Sequence, residues 1–237
     1  MKPLFILTSA LNTKFGVYTT EQRMAQTLDS IGSIKKYCPG ADIAIVEMAG
    51  IPPTQEQLLT YYDNVDYVMN YSNEDDVQEI YNSTDNWDIV KNTTEVMVFF
   101  NALQTLIDNG TIVKYDRIFK MSGRYQLTEN FDPGYYNTVA DRIVVLQRKN
   151  SQFPPQVTGN KQFQYMSRLW SWPAENTTDI IESYTEGFGA MAVQISEGGY
   201  FDIEHMLFAY LPAEIVTEVP RVGLRGLLGP NGVAIED

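Results

Sequence analysis

The chain is poor in cysteine, in histidine and in positive charge. Among its 237 residues there is one cysteine, Cys38, and one histidine, His205. A single cysteine excludes an intrachain disulfide and any cysteine-cluster zinc site. Such a residue in an α/β protein usually serves as a small core hydrophobe. Lys and Arg together number 17 against 30 Asp and Glu, for a formal net charge of −13. That balance argues against non-specific nucleic-acid binding, which needs Lys and Arg to neutralise phosphates. It leaves room for a small phosphate-bearing ligand, because a few placed cations suffice. Long apolar runs are absent too: nothing approaches the roughly 18–20 residues of a membrane span. The opening Met1 to Asn12 is too short for the three regions of a signal peptide. The expectation is a soluble, cytoplasmic protein. There is no nucleophilic-serine motif, phosphate loop, dinucleotide fingerprint or internal repeat. The Asn-x-Ser/Thr sequons at Asn70, Asn82, Asn92, Asn109 and Asn176 read as a consequence of composition. Gly223, Gly226 and Gly229 are evenly spaced but follow no strand–turn–helix pattern.

What is present suits a folded core. The apolar share is 44% and the charged share 20%, those of an ordinary globular protein, and the length fits one large domain. Pro3 to Leu11 reads as a first strand with Leu4, Phe5, Ile6 and Leu7 as its buried run. Thr19 and Gln22 form a capping box that opens a helix carrying Met24, Leu28, Ile31 and Ile34, closed by Pro39-Gly40. Strands follow at Asp42 to Met48 and Val65 to Tyr71, with a short helix to Tyr62 between them. The acidic stretch Ser72 to Asp88 reads as a long loop with at most one helical turn. Asn92-Thr93-Thr94-Glu95 caps the next helix, whose buried face is Val96, Phe99, Phe100, Leu103, Leu106 and Ile107. A buried strand, Ile118 to Met121, then leads into Ser122-Gly123-Arg124-Tyr125. This alternation predicts a mostly parallel α/β sheet with helices on both faces. It puts the ends of the first and fourth strands at one sheet edge. The second half is mixed: strands at Asp141 to Arg148, Gln162 to Trp172, Gly189 to Ile195 and Glu214 to Val219, helices at Thr177 to Thr185 and Phe201 to Leu211, and a glycine-rich, loop-like tail from Arg221.

Ligands of open α/β sheets bind outside the carboxyl ends of the strands. Thr8 and Ser9 end the first strand, and Ser122, Gly123, Arg124 and Tyr125 end the fourth. A hydroxyl, a glycine, a guanidinium and a phenol there can hold an anion or a sugar; they also fit a strand end turning into solvent. Lys91 and Arg23 lie at the openings of helices, where anions are favoured, or are solvated charges. On the helix from Phe201, Glu204 falls in an apolar stripe. It faces a cleft as an acid/base group or is a buried ion-pair partner. Asp202 and His205 stand at i and i+3 and can reach one ligand. They form a hard-metal pair or a satisfied structural histidine with its carboxylate.

Two segments carry a family resemblance. The run Thr19-Thr20-Glu21-Gln22-Arg23 with Gln26-Thr27 and Ser30-Ile31, between two strands, is similar to the opening of small glycosyltransferases of the GT-A fold. Ile118-Phe119-Lys120-Met121-Ser122-Gly123-Arg124-Tyr125 resembles a K-[IL]-[ST]-G-R-Y element of bacterial and viral members. The resemblance implies one GT-A-like domain over residues 1–237, with a nucleotide-sugar-binding half at 1–127 and an acceptor-binding half at 128–237. It implies a hexosyltransferase-like enzyme, a UDP-sugar as donor, and a carbohydrate or other hydroxyl acceptor. Thr8, Ser9, Arg23, Lys91, Lys120, Ser122, Gly123 and Tyr125 would bind the donor, and Arg124 would stabilise the leaving diphosphate. Glu204, with Asp202 in reserve, would be the base. Most members hold Mn or Mg with Asp-x-Asp at the position of Ser122-Gly123-Arg124, so metal dependence stays open, with His205 as a candidate ligand. The alternatives are a non-catalytic carbohydrate- or nucleotide-binding module and a nucleotidyltransferase on a related fold.

Overall fold

Strand β1 (Pro3–Ser9) is buried along its whole length. Its neighbours β2 (Asp42–Glu47) and β4 (Arg117–Ser122) both pair with it in parallel, and helices cover both sheet faces. A parallel strand covered on both faces reads as a continuous apolar run, which is why Leu4 to Leu7 stand out. Their side chains alternate between two cores. Leu4 and Ile6 join one with Val96, Phe99 and Leu103, and Phe5 and Leu7 join the other with Ile31 and Ile34. The structure, a computed structural model, describes residues 1–229 and 231–237.

β3 (Tyr67–Asn70) extends the parallel ladder beyond β2. On the other side of β4, strand β9 (Leu169–Pro173) runs antiparallel between β4 and β6 (Ile143–Leu146), and β10 (Val216–Val219) closes the edge. The sheet order is β10-β6-β9-β4-β1-β2-β3, the expected mostly parallel α/β sheet with a mixed second half. Helix α1 (Thr20–Tyr37) starts at the Thr19–Gln22 capping box and covers one face. Helices α4 (Trp87–Asp108), α6 (Thr177–Ser196) and α7 (Ile203–Tyr210) cover the other. Between them lie the short α2 (Gln55–Tyr62) and α5 (Pro133–Thr138).

Four readings are corrected. Residues 72–88 are not a loop: α3 (Asp75–Ser83) forms there, because Val77 and Tyr81, one turn apart, find a core. Helix α4 begins before Asn92, with Asn86 as its N-cap accepting from the backbone of Asp88 and Ile89. Lys91 and Glu95 therefore sit inside the helix, at i and i+4 on one face. The strand expected at Gly189 to Ile195 is the second half of α6; Ile180, Tyr184, Gly187 and Met191 are buried at helical spacing. The tail is not all loop. Strand β11 (Leu224–Leu227) pairs antiparallel with β12 (Ala234–Glu236) and with β5 (Tyr125–Leu127), and Pro230 of that tail lies outside the described residues. The stretch from Gln162 to Trp172 is divided into β8 (Phe163–Gln164), paired with β7 (Lys149–Asn150), and β9.

Candidate functional site

The carboxyl ends of β1, β2 and β4 open into a cleft of about 390 Å3, walled by α4, the start of α7 and the loops after β1 and β11. The β1–β4 ladder brings Thr8 beside Ser122. The chain then turns at Gly123, whose N–H donates to the Thr8 carbonyl at 2.9 Å. A Cβ on Gly123 would sit 3.2 Å from that carbonyl oxygen, so the tight passage from strand to site depends on glycine.

At the base of the cleft lies a closed set of polar partners. Lys120 is fully buried. Its Nζ donates to Glu95 Oε1 at 2.6 Å, the Ser167 carbonyl at 2.9 Å and Ser122 Oγ at 3.0 Å. Thr8 Oγ1 donates to the same Glu95 oxygen at 3.3 Å. Burial alone would raise the Glu95 pKa; Lys120, Lys91 and Arg124 overcome it and hold the carboxyl at about 2. A second buried carboxylate, Glu47, accepts from Ser9 Oγ at 2.6 Å and from the backbone N–H groups of Leu11 and Ala49 at 3.0 Å each. It ties together the loops that follow β1 and β2. Burial pushes its pKa up.

Arg23 lines the cleft, but its guanidinium donates to the carbonyls of Phe15 at 2.8 Å and of Ala10 and Tyr18 at 3.3 Å each. It is the anchor of the loop after β1. Arg168 also lines the cleft and is ion-paired with Asp237. Besides Arg23, which has only carbonyl partners, two cations facing the cleft have no ion pair among the described residues: Lys91 and Arg124. Among the described residues the only acceptor for Lys91 Nζ is Asn92 Oδ1, at 3.4 Å. Burial works against its ammonium, but Glu204, Glu95 and Asp202 outweigh burial and raise its pKa above the ordinary lysine value. Arg124 Nε is buried without a hydrogen-bond partner among the described residues. Its guanidinium lies 5.9 Å from the centre of the Tyr125 ring, with Arg168 the same distance from that ring. A Cβ on Gly229 would come within 3.1 Å of Arg124 Nη2. The guanidinium is thus held between an aromatic ring and a bare stretch of backbone.

Glu204, on the first turn of α7, faces the cleft and accepts from Ser167 Oγ at 2.6 Å, which leaves Oε2 unengaged. The apolar part of the lining is formed by Met48, Ala49, Phe15, Tyr81 and Trp87. The structure thus brings Thr8, Ser9, Arg23, Lys91, Ser122, Arg124, Tyr125 and Glu204 to one cleft. It keeps Lys120 beneath it, fully satisfied, and gives Gly123 a packing role. Asp202 and His205 stand apart. Asp202 caps α7, accepting from the His205 N–H at 2.9 Å and from His205 Nδ1 at 2.6 Å; His205 Nε2 bonds Ser151 Oγ at 2.9 Å. His205 is fully buried and both its ring nitrogens have protein partners. Glu95, Glu47 and Arg168 were not anticipated. Only Glu95 had a local signal, its i, i+4 spacing from Lys91.

A divalent cation does not fit this donor set. Ser122-Gly123-Arg124, at the end of β4, presents a guanidinium and no carboxylate. Lys120 and Thr8 hold Glu95. No three His, Cys, Asp or Glu converge among the described residues.

The fold is that of GT-A glycosyltransferases. No family model and no curated protein matches the chain. Among solved structures it is similar to core-mannan synthase A from Aspergillus fumigatus in its Mn/GDP form, with a TM-score of 0.50 over 92% of this chain and 72% of that one. The identity is 8%, so the likeness is one of fold. No helix among the described residues is long and apolar enough to cross a membrane.

Proposed function

We propose that the chain is a glycosyltransferase that moves a sugar from a nucleotide-sugar donor to a hydroxyl acceptor, with residues 1–127 holding the donor and 128–237 the acceptor. The observation that carries this reading is Arg124. It is a guanidinium without an ion pair, carrying a buried, unpartnered Nε, in one cleft with the end of β1 and with Glu204. A buried donor left unsatisfied is unfavourable unless a ligand completes it. A diphosphate does so with the bidentate geometry that suits guanidinium. The apolar part of the lining takes the base, with Thr8 and Ser9 on the nucleotide side and Arg23 holding the loop that covers it. At about 390 Å3 the cleft falls within the ~300–1,000 Å3 of ligand pockets, and a UDP-sugar is the donor we assign to it.

In an inverting displacement, the acceptor oxygen forms a bond to the anomeric carbon as the bond from that carbon to the diphosphate oxygen breaks. Glu204 Oε2 takes the acceptor proton, while the Ser167 hydroxyl fixes Oε1. The negative charge that develops on the departing diphosphate meets Arg124 and Lys91, aimed there beforehand.

The test is incubation with a panel of nucleotide sugars, reading released nucleotide. The expected result is UDP release that falls by roughly 10²–10⁴-fold in Glu204→Gln, the size of a lost general base, with UDP binding retained. Nucleotide binding without turnover would make the chain a binding module, and pyrophosphate release would make it a nucleotidyltransferase. Wild-type turnover by Glu204→Gln would remove that residue from the chemistry.

A further inference from the structure

A nucleoside diphosphate brings at least two negative charges into a cleft that already holds Glu95 and Glu204, within a chain of net charge −13. Something must neutralise them. The relative of this fold named above is in a Mn/GDP form, yet each of these two carboxylates already has one oxygen held by a protein donor. Glu95 Oε1 is taken by Lys120 at 2.6 Å, and Glu204 Oε1 by Ser167 at 2.6 Å. An arriving dication would also stand beside two cations, Lys91 and Arg124, that have no ion pair among the described residues.

Sorting the cationic groups at the cleft by what they already hold leaves those two. Lys120 belongs to Glu95, Arg168 to Asp237, and Arg23 to three backbone carbonyls. We propose that Lys91 and Arg124 together take the place of the divalent cation, so that this chain binds its donor diphosphate without a metal. The proposal rests on the nucleotide-sugar reading above. Glu95 has a defined part in it. Ionised at neutral pH and fixed by Lys120, it draws the Lys91 ammonium to its side of the cleft from one helical turn away. Arg124 is set by Tyr125 and Gly229. The two side chains come from different elements, α4 and the turn after β4, so a diphosphate between them is gripped from two sides, as a metal would grip it. Their charges also have different geometry: a compact ammonium for a single oxygen, and a planar fork for two.

The experiment is calorimetric titration of UDP into the full chain, first with excess EDTA and then with excess manganese. The expected result is the same Kd in both. Arg124→Ala and Lys91→Met, each checked for an unchanged thermal melt, should weaken UDP by about tenfold or more, the size of a charge-assisted hydrogen bond. They should weaken uridine, which has no phosphate, hardly at all. Binding that vanishes in EDTA and returns with manganese would overturn the metal-free site while leaving the glycosyltransferase reading intact. UDP binding unaffected by either substitution would also overturn it. No nucleotide binding under any condition, with GDP tried alongside UDP, would overturn both.

Discussion

Lys91 and Lys120 both feel the charge of Glu95, yet they are in different conditions. Lys120 points from β4 into the protein, is fully buried, and spends every donor on fixed partners. Lys91 stands on α4 with only a long contact to its neighbour Asn92. Arg124, across the same cleft, resembles Lys91, with a buried nitrogen left unpartnered. A satisfied cation contributes to the fold, whereas an unsatisfied one near the surface is available to a ligand. The sorting of charge into function here comes from partner count, not from residue type or position along the chain.

The strongest way to break the comparison is Lys120→Met. Removing one partner of a buried pair should destabilise the protein by about 3–5 kcal/mol, seen as a lower denaturant midpoint. If stability is unchanged and only ligand binding falls, Lys120 belongs with Lys91 after all. The pair also has a pH signature. The Glu95 pKa is depressed in the fold, so its stabilisation is complete above the ordinary carboxylate pKa. It is lost as pH falls from there toward about 2. Acid denaturation of the wild type should include that loss, and Lys120→Met should show less of it.

Arg124→Ala is the reciprocal test. It should change stability by less than about 1 kcal/mol, and cut UDP affinity and turnover. A large loss of stability instead would make Arg124 structural. The smallest effect expected is from Gly229→Ala. The new methyl would lie 3.1 Å from Arg124 Nη2, so the guanidinium must shift by a few tenths of an ångström. UDP binding should weaken a few-fold with the melt unchanged; an unaffected affinity would show that the ring and backbone around Arg124 do not set its aim.

The first half of the fold could be read directly from the chain. Its strands β1, β2 and β4 are buried on both faces, so each is a compact apolar run, and the Thr19–Gln22 box marks the helix start. Where the reading failed, the deciding contacts are distant in sequence. Gly189 to Ile195 resembles a strand alone, but is helical because it continues the face begun at Ile180 and Tyr184. The tail strand β11 forms only because β5 offers it an edge. In the site, Arg124 and Glu204 were accessible to local reasoning, as a strand-end cation and a carboxylate in an apolar stripe. Lys91 was selected for a helix opening that in fact lies at Asn86. Nothing local distinguishes His205 as buried and doubly bonded, or pairs Arg168 with Asp237; those facts belong to the packed chain.

The most direct test is a crystal structure of the chain with UDP, grown in the presence of EDTA. The account predicts a diphosphate oxygen within about 2.7–2.9 Å of an Arg124 nitrogen, the distance of a charged hydrogen bond, with Lys91 Nζ on the other flank. A diphosphate seated away from Arg124, or a guanidinium swung out of the cleft when the nucleotide is bound, would contradict it.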